Sequence, residues 1–416
     1  MSFKNTAAVV LAAGRSTRFN RSRSKLITTI CGQPMINFPL KALKSLGIPV
    51  TVVLCPHSEK TKEAVKSAGM QDIDFVIQEK PLGTGDALAA TRKSWANDHI
   101  LVINGDMPLI EDSDIKKMIT AHEKNKATVS FAITTLLNPT GYGRVITNES
   151  QVRIVEDRDC SPEERMIPQV NAGIYLFKRS FLEENISLID NTNATGEFYV
   201  VNLINMASEQ GRTINRVHLD PDAVRGVNTL EELWAAEHIK QSDLIRMHME
   251  RGVFFESPQS NRMDLNIEIG PDSFIGSGVH LVKGTKIGSR CRILSSSILQ
   301  STIVGDGTTI FPHTVIENSY IGNECNVGPF SFVCDNSTIR DGVSIGNFVK
   351  VQGRCICNDC TIKPFTELDD VTLGGQTPGG CSIKKPEAVH SKEAIDTDEQ
   401  VQFVGAKKAE ETQKTT

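Results

Sequence analysis

The segment IGPDSFIGSGVHLVKGTKIGSRCRI, residues 269–293, places an aliphatic residue at every sixth position. The pattern continues to residue 373, with some steps of five, and glycine often follows the aliphatic residue. A hexapeptide period with one inward aliphatic residue per step is typical of a parallel β-helix. Three such faces make a coil of about eighteen residues, so the run predicts about six coils. The aliphatic positions are Ile269, Ile275, Leu281, Ile287, Ile293, Ile298, Val304, Ile310, Ile316, Ile321, Val327, Val333, Ile339, Ile345, Val351, Ile356, Ile362, Leu368 and Leu373.

The residues before this run have a different texture, in which strand-like and helix-like segments alternate. AAVVLAAG, VTVVLC, DFVIQ, HILVING, ATVSFAIT and NAGIYLF are typical of strands, whereas PMINFPLKALKSLG, GTGDALAATRKSW and EDSDIKKMITAHEKN are typical of helices. This alternation predicts an α/β domain with a doubly wound, mostly parallel sheet. Ligands of such sheets bind beyond the carboxyl ends of the strands, where the Gly14 turn and the NGDMP turn lie.

The change of pattern divides the chain into four segments. We predict an α/β domain over residues 1–229, a connecting helix over 230–252, a β-helix over 253–375 and a polar, disordered tail over 376–416. Residues 230–252 could equally form a surface helix of the first domain. The tail has few apolar residues, which favours disorder.

Composition excludes several classes of protein. The net charge of −5 and the isoelectric point near 6.0 argue against a nucleic-acid-binding protein. No apolar segment approaches the ~18 residues of a membrane span, and the N-terminus does not have the pattern of a signal peptide. The ten cysteines are too widely spread for a disulfide framework. We therefore predict a cytoplasmic protein that binds neither nucleic acid nor membrane.

The segment VVLAAGRSTRFNRSRSKLI, residues 9–27, joins an apolar strand to a turn of small residues and then to five cations. It matches neither G-x-G-x-x-G nor the P-loop pattern. The small residues at 12–14 would let a base or a phosphate approach the backbone closely. Beyond them, Arg18 and Lys25 could clamp a triphosphate, while Arg15, Arg21 and Arg23 have no such assignment. The alternative is a solvated loop.

Further motifs follow in order along the chain: QEKPLGTGDAL, INGDMPLI, PTGYGRVI, RIVEDRD, QVNAGIYLF, TGEFYVVNLI and RGVNT. Together with LAAGRSTRF and Lys25, they resemble the signature of sugar-1-phosphate nucleotidylyltransferases. From Ala7 to about Val351, the chain resembles the bacterial bifunctional N-acetylglucosamine-1-phosphate uridylyltransferase and glucosamine-1-phosphate acetyltransferase family. The second domain of that family is a left-handed β-helix, and the first has a Rossmann-like nucleotidyltransferase fold.

The resemblance implies a reaction of UTP with N-acetylglucosamine-1-phosphate that gives UDP-N-acetylglucosamine and pyrophosphate. It assigns Leu11, Ala12, Ala13 and Gly14 to the nucleotide, Gln78, Gly83 and Thr84 to uracil, Gly143, Glu156, Asn171 and Tyr199 to the sugar, Arg18 and Lys25 to the phosphates, and Asp106 and Asn228 to Mg²⁺. Phosphoryl-group chemistry of this kind depends mainly on positioning and charge neutralisation. Mg²⁺ takes few protein ligands, and no general base is required because the attacking phosphate is already ionised.

Each assignment has a simpler alternative. Asp106 could be an ordinary turn aspartate, and Glu156 could pair with an arginine on the surface. Tyr199 could be a core aromatic residue, and Asn228 could cap the helix that begins beside it.

Some positions depart from the pattern of the family and leave the sugar specificity open. Asn104, which we include among the substrate-binding residues, stands where the family more often has an aromatic residue. Pro81 replaces a polar residue, Ala172 replaces a threonine, and Val201 and Asn202 replace a Thr-Asp pair.

The acetyltransferase residues of the family are missing. Its histidine base falls on Pro364, and its supporting lysine, arginine and tyrosine fall on Gln352, Cys334 and Glu367. Because proline cannot take a proton from an amine, we predict that acetyltransferase activity is absent. The remaining histidines, His280, His313 and His390, lie in earlier coils or in the tail.

The β-helix would then serve assembly, and we expect a homotrimer, with a solvated monomeric cap as the alternative. Cys355, Cys357 and Cys360, with Cys381 further on, could bind a metal, but cysteines at the corners of coils are the simpler interpretation. Two other functions remain open: a nucleotidylyltransferase for another sugar phosphate, and a non-catalytic scaffold that binds nucleotide sugars.

Overall fold

The computed structural model describes residues 3, 5–14, 19, 24–148, 151–376 and 382–384. Arg15, Arg18, Arg21 and Arg23 lie outside the described residues, and so does most of the predicted tail, with Cys381 and His390. The helices are α1 (Asn37–Ser45), α2 (Glu59–Ser67), α3 (Thr84–Ala90), α4 (Asp112–Lys124), α5 (Pro162–Arg165), α6 (Arg179–Asn185), α7 (Val201–Glu209) and α8 (Leu230–Glu250). Short 3-10 helices cover Lys25–Ile27, Arg92–Ser94, Ile186–Leu188 and Pro258–Ser260.

The first part of the chain forms one large sheet and a small hairpin. Its strands are β1 (Thr6–Ala12), β2 (Thr29–Ile30), β3 (Gln33–Pro34), β4 (Val50–Leu54), β5 (Asp74–Ile77), β6 (His99–Asn104), β7 (Val129–Thr135), β8 (Arg144–Thr147), β9 (Val152–Val155), β10 (Gln169–Lys178) and β11 (Ile214–His218). The large sheet has the order β11-β7-β10-β6-β1-β4-β5, and β8 and β9 extend it beside β10. Strand β10 runs antiparallel to β6 and β7, while the other neighbours along this order are parallel. This confirms the predicted mostly parallel α/β sheet.

Both faces of the sheet are buried, as the continuous apolar runs of its strands require. In β1, Ala8 and Val10 belong to one core and Ala7 and Val9 to the other. Helices therefore cover the sheet on two sides, and only its carboxyl edge is left for a ligand.

The second part of the chain is the predicted left-handed parallel β-helix. Its strands are β12 (Phe254–Phe255), β13 (Arg262–Met263), β14 (Glu268–Ile269), β15 (Phe274–Ile275), β16 (His280–Val282), β17 (Lys286–Ile287), β18 (Arg292–Ile293), β19 (Ile298–Gln300), β20 (Ile303–Val304), β21 (Thr309–Ile310), β22 (Val315–Glu317), β23 (Tyr320–Ile321), β24 (Asn326–Val327), β25 (Phe332–Val333), β26 (Thr338–Ile339), β27 (Ser344–Ile345), β28 (Lys350–Gln352), β29 (Ile356–Ile362), β30 (Glu367–Asp369), β31 (Thr372–Gln376) and β32 (Ser382–Lys384). Face 1 is β12-β15-β18-β21-β24-β27-β29, face 2 is β13-β16-β19-β22-β25-β28-β30-β32, and face 3 is β14-β17-β20-β23-β26-β29-β31.

Face 1 has seven described strands, one for each coil, where the period predicted about six coils. Strand β29 is long enough to contribute to both face 3 and face 1. The extra coil is the first, because Phe255 and Met263 precede the regular run and lack its glycines. Strand β32 lies within the segment predicted as a tail and pairs with β30.

The inward residues are mostly those that the period selects. At two positions, however, the neighbouring residue faces inward: Leu299 and Cys357 are fully buried, whereas Ile298 and Ile356 are partly exposed. These two steps of five therefore fall at 299–304 and 357–362, one step later than the aliphatic pattern suggests.

Helix α8 joins the two parts and packs against both. A cluster of buried residues includes Phe19 from the cation-rich segment, Cys31 from the β2–β3 turn, Val227 before α8 and Leu244 within it, and Leu265 of the first coil packs against this cluster. The first coil of the β-helix thus packs against a cluster that includes Phe19 of the cation-rich segment.

Candidate active site

A cavity of about 480 Å³ opens at the carboxyl ends of β1 and β6 and beside the amino-terminal half of the antiparallel strand β10. It brings together predicted residues from separate motifs: Leu11, Thr84, Asn104, Asp106, Gly143, Glu156, Asn171, Tyr199 and Asn228. Two of these strands are parallel neighbours whose ends meet at one edge, which is where ligands of such sheets bind.

The strand-to-turn step at Gly105 aims Asp106 into the cavity. The backbone N–H of Gly105 donates to the carbonyl of Leu11 at 2.8 Å, which ties the β6 turn to the end of β1. A side chain at Gly105 would come within 2.8 Å of Ile36, so the close approach requires glycine.

Asn228 faces Asp106 from the entrance to α8. The cap of α8 is Thr229, whose hydroxyl accepts from the N–H of Glu232, while the Glu232 carboxylate accepts from the N–H groups of Asn228 and Thr229. The side chain of Asn228 is therefore not used as the helix cap and points toward the cavity.

Lys25 connects these two residues. Its ammonium donates to Asp106 Oδ2 at 2.5 Å, to Asn228 Oδ1 at 2.9 Å and to the carbonyl of Val227 at 3.0 Å. Lys25 is only 8% exposed, although the sequence suggested a cation directed at phosphate. The structure brings it to the two predicted metal ligands.

The same oxygens fit the chemistry of a Mg²⁺ site. A carboxylate, an amide oxygen and a backbone carbonyl converge on one point, and hard oxygen donors of this kind suit Mg²⁺. Gly226 lies beside both side chains: a Cβ there would be in ordinary van der Waals contact with Asn228 and Asp106, at 3.7 and 3.8 Å. Asp106 and Asn228 are the residues that would hold the ion.

The residues predicted to contact the nucleotide are only partly inside the cavity. Leu11 lines it, but the side chains of Ala12 and Ala13 pack into the two cores of the sheet. Gly14 is exposed and has open space around it. Ala12, Ala13 and Gly14 could therefore meet a ligand through their backbone alone.

The predicted uracil residues form the start of α3. Gly83 has a positive φ of 119°, and a Cβ there would lie 2.5 Å from the carbonyl of Phe198. The buried amide of Gln78 donates to the Gly83 carbonyl at 3.1 Å and to Asp86 at 2.7 Å. The Thr84 hydroxyl accepts from the N–H of Val200 at 3.0 Å and lines the cavity. Gln78 thus shapes this turn.

Glu156 also lines the cavity, and its carboxyl has a raised pKa. Burial, with the negative charges of Asp159, Asp157 and Glu197, raises the pKa of Glu156 to about 7. The alternative pairing with Arg153 is not formed, since Arg153 is bonded to Glu164. Glu156 can therefore serve a ligand.

Asn171 and Tyr199 are further lining residues. Asn171 Nδ2 donates to the hydroxyl of Tyr175 at 2.7 Å, and Tyr199 is hydrogen-bonded to Thr195. Tyr199 lines the cavity and is partly buried, and it also packs against one core of the sheet, so both roles predicted for it are compatible with its position.

Sequence reasoning missed several lining residues, among them Tyr175, Thr195 and Glu197. Tyr175 could have been found from the alternation along β10, which places Asn171, Gly173 and Tyr175 on one side of the strand. A bulge interrupts the pairing between Asn171 and Tyr175 and turns this side toward the cavity.

The positions that correspond to acetyltransferase residues lie close together on face 2. Cys334 follows β25, Gln352 ends β28 and Glu367 begins β30, in consecutive coils. Glu367 accepts a bond from Lys350 at 3.2 Å. Burial and the neighbouring Asp335 carboxylate raise the pKa of the Cys334 thiol to about 12.

Among the described residues, no group of three His, Cys, Asp or Glu side chains is suited to a metal ion. Cys355, Cys357 and Cys360 are buried in the coils, and the Cys355 thiol donates to the Gln352 carbonyl at 3.0 Å. Within the part of the chain that the structure describes, no helix is long and apolar enough to cross a membrane.

Comparison with known proteins gives matches over both parts of the chain. Residues 8–154 match the MobA-like NTP transferase domain, and residues 259–377 match the GMPPB C-terminal domain. The bifunctional protein GlmU of Clostridium kluyveri is 33% identical over 379 residues, which cover 90% of this chain and 82% of the relative. The chain belongs to the GlmU family. A protein of this family therefore carries the cavity described above, on a nucleotidyltransferase domain.

Other GlmU proteins match to a similar extent. The Pelobacter propionicus protein is 33% identical over 384 residues, covering 91% of this chain and 83% of the relative. The Clostridioides difficile protein is 34% identical over 340 residues, covering 80% and 73%. A crystal structure from Bacillus anthracis, described as a glucose-1-phosphate thymidylyltransferase in complex with sucrose, has a TM-score of 0.48 and 19% identity, covering 56% of this chain and 94% of its own.

Proposed function

We propose that this chain is a Mg²⁺-dependent uridylyltransferase that converts UTP and N-acetylglucosamine-1-phosphate into UDP-N-acetylglucosamine and pyrophosphate. One observation carries the proposal: Glu156, Asn171 and Tyr199 line the same cavity as Asp106 and Asn228, which Lys25 bonds. The reaction needs both groups of residues in one cavity: charged residues for the phosphates of the nucleoside triphosphate, and polar side chains for the sugar.

The chain contributes positioning and charge to this reaction. The oxygen of the sugar phosphate attacks the α-phosphorus of UTP, and the bond to pyrophosphate breaks. Lys25 supplies a positive charge near the reacting phosphates, where negative charge is redistributed. Bound Mg²⁺ would neutralise phosphate charge beside Asp106 and Asn228.

The residues assigned to the sugar orient the attacking group. Glu156 can accept hydrogen bonds from sugar hydroxyls once it is ionised, and the Asn171 amide can bond the acetamido group. Holding both substrates in one geometry lowers the entropic part of the barrier.

Arg18 has the second predicted role at the phosphates, and this role remains a proposal from the resemblance. Arg18→Met is expected to raise the KM for UTP. The control is Arg179→Met, because Arg179 lies on α6 and bonds the carbonyl of Trp95.

We further propose that acetyltransferase activity is absent. Pro364, at the position of the family's histidine base, cannot take a proton, and Gln352 and Cys334 replace the lysine and the arginine that support this base. Incubation with glucosamine-1-phosphate and acetyl-CoA should release no thiol beyond the protein-free control. Enzyme-dependent thiol release would contradict this part of the proposal.

The β-helix is proposed to hold three copies of the chain together. Four rings stack along the corner between faces 1 and 2, from His313 through Phe330 and Phe348 to Phe365, with centroid separations of 4.9, 5.1 and 5.3 Å. The three phenylalanines are 50–62% exposed. Contiguous apolar surface of this kind marks an interface. Sedimentation should give a trimer for the native chain and a monomer for Phe348→Asp.

The main test is a panel assay of pyrophosphate release with UTP, Mg²⁺ and different sugar-1-phosphates. N-acetylglucosamine-1-phosphate should be the preferred substrate, and Asp106→Asn should reduce turnover at least a hundredfold. A preference for another sugar would support the second candidate, which Asn104 and Ala172 favour because they depart from the family pattern. A scaffold that only binds would show no turnover, and Asp106→Asn would leave binding unchanged.

A further inference from the structure

The ammonium of Lys25 is completely satisfied by the groups of the predicted metal site. A lysine ammonium has three hydrogen-bond donors, and three acceptors surround it at 2.5, 2.9 and 3.0 Å. The acceptors are Asp106 Oδ2, Asn228 Oδ1 and the Val227 carbonyl. This is a buried ion pair with further hydrogen bonds, the arrangement in which such a pair can be stable.

A metal ion held by Asp106 and Asn228 would coordinate the carboxylate and amide groups that Lys25 contacts. Lys25 bonds Oδ2 of Asp106, and Oδ1 stays available to an ion, so the two cations would compete mainly through their mutual repulsion in a partly buried site. This repulsion favours displacement of Lys25 when a metal binds. The alternative acceptors for its ammonium are phosphate oxygens of a nucleotide, which are the groups that the family resemblance assigns to Lys25.

The backbone around Lys25 is fixed, so the exchange would involve the side chain. The Lys25 carbonyl accepts from the N–H of Thr28 at 3.1 Å, and that of Leu26 accepts from Ile36 at 3.0 Å. Ser24 caps the 3-10 helix through the N–H of Leu26. The four-carbon stem of a lysine can rotate without disturbing these bonds.

We propose that Lys25 acts as an internal cation that competes with the divalent ion for the side chains of Asp106 and Asn228. This inference rests on the metal assignment within the proposed function. Nucleotide phosphates that accept the Lys25 ammonium would relieve the competition and strengthen metal binding. Binding of metal and of nucleotide is therefore coupled.

The test is the affinity of the full chain for Mn²⁺ without nucleotide, measured by the electron paramagnetic resonance signal of the free ion. Lys25→Met removes the charge and keeps most of the apolar stem. It should bind Mn²⁺ at least tenfold more tightly than the native chain, although its turnover is lost. The matched control is Lys44→Met, because Lys44 also pairs with an aspartate, Asp72, but on the surface. Its Mn²⁺ affinity should be unchanged.

Two further variants separate the possible failures. Asp106→Ala in the Lys25→Met background should abolish the tight Mn²⁺ site, and if it does not, the metal assignment of the proposed function is wrong. If Asp106→Ala abolishes binding but Lys25→Met binds Mn²⁺ no more tightly than the native chain, the competition is refuted while the metal assignment stands. Lys25→Gln, measured alongside with circular dichroism of each variant, keeps the test valid if Lys25→Met does not fold.

Discussion

Replacing Gln241 by leucine should uncouple α8 from the first coil of the β-helix. The Gln241 amide Nε2 donates to the Met263 carbonyl at 2.6 Å and its Oε1 accepts from the Met263 N–H at 3.1 Å. In β13, the N–H groups of Arg262 and Asp264 pair with the next coil. The N–H and the carbonyl of Met263 therefore face away from the next coil, at the open end of the coil stack. Gln241 is the hydrogen-bond partner of both groups.

The expected cost follows from the two backbone groups left without partners. Met263 is fully buried, and an unsatisfied buried N–H or C=O costs about 1–3 kcal/mol. Because the leucine side chain gains some apolar burial, we expect Gln241→Leu to lower the free energy of unfolding by about 2–4 kcal/mol. Gln241 also donates to Cys31 Sγ at 3.2 Å, so the hairpin that follows Lys25 should loosen.

The assay is urea unfolding followed by circular dichroism, together with pyrophosphate release. Ser242→Ala is the matched control, because Ser242 is the next residue of α8 and bonds only the carbonyl of His238 in the same helix. That variant should stay within about 0.5 kcal/mol of the native chain. If Gln241→Leu also stayed within that range, the coupling through Met263 would be refuted.

Three further predictions concern single sites. Gly173→Ala should strongly reduce turnover, because Gly173 has a φ of 72° and a Cβ there would lie 2.6 Å from Asn104 Nδ2. The control is Gly196→Ala, because Gly196 has a similar φ of 67° but open space around it. Equal losses of turnover in the two variants would contradict the clash with Asn104. Burial lowers the pKa of His122 to about 3. As the pH falls from about 6.5 toward 3, this histidine is therefore protonated in the unfolded chain but stays neutral in the folded one. The free energy of unfolding should fall by up to ~1.4 kcal/mol per pH unit in this range. In urea unfolding at pH 7 and 5, His122→Gln should show a smaller drop, and an equal drop would exclude His122. Because the pKa of Glu156 is about 7, the KM for the sugar phosphate should rise as pH falls below 7, and a persistent rise in Glu156→Gln would rule out this carboxyl.

Most of the fold could be predicted because both of its parts are periodic. The hexapeptide run indicated the β-helix, and the alternation of strands and helices indicated the sheet. The predicted bounds of 253–375 include the first coil, but the coil count was one too low because Phe255 and Met263 do not follow the six-residue spacing. Leu299 and Cys357 face inward because of the turn geometry of their coils. The spacing of aliphatic residues in the sequence does not predict this geometry.

The site could be predicted as a set of residues but not as a set of contacts. The resemblance of short motifs to the family selected Asp106, Asn228 and Glu156. Nothing in the local sequence places Lys25 on Asp106 and Asn228, because the three are brought together by long-range packing. Ala12 and Ala13 illustrate the reverse case, since their motif suggested ligand contact but their side chains fill the cores.

The most direct test of the central claim is the mass of the product formed by the purified chain from UTP, Mg²⁺ and an equimolar mixture of sugar-1-phosphates. We predict UDP-N-acetylglucosamine as the dominant product, formed together with pyrophosphate and lost in Asp106→Asn. A different nucleotide sugar as the dominant product, or no product at all, would contradict the account.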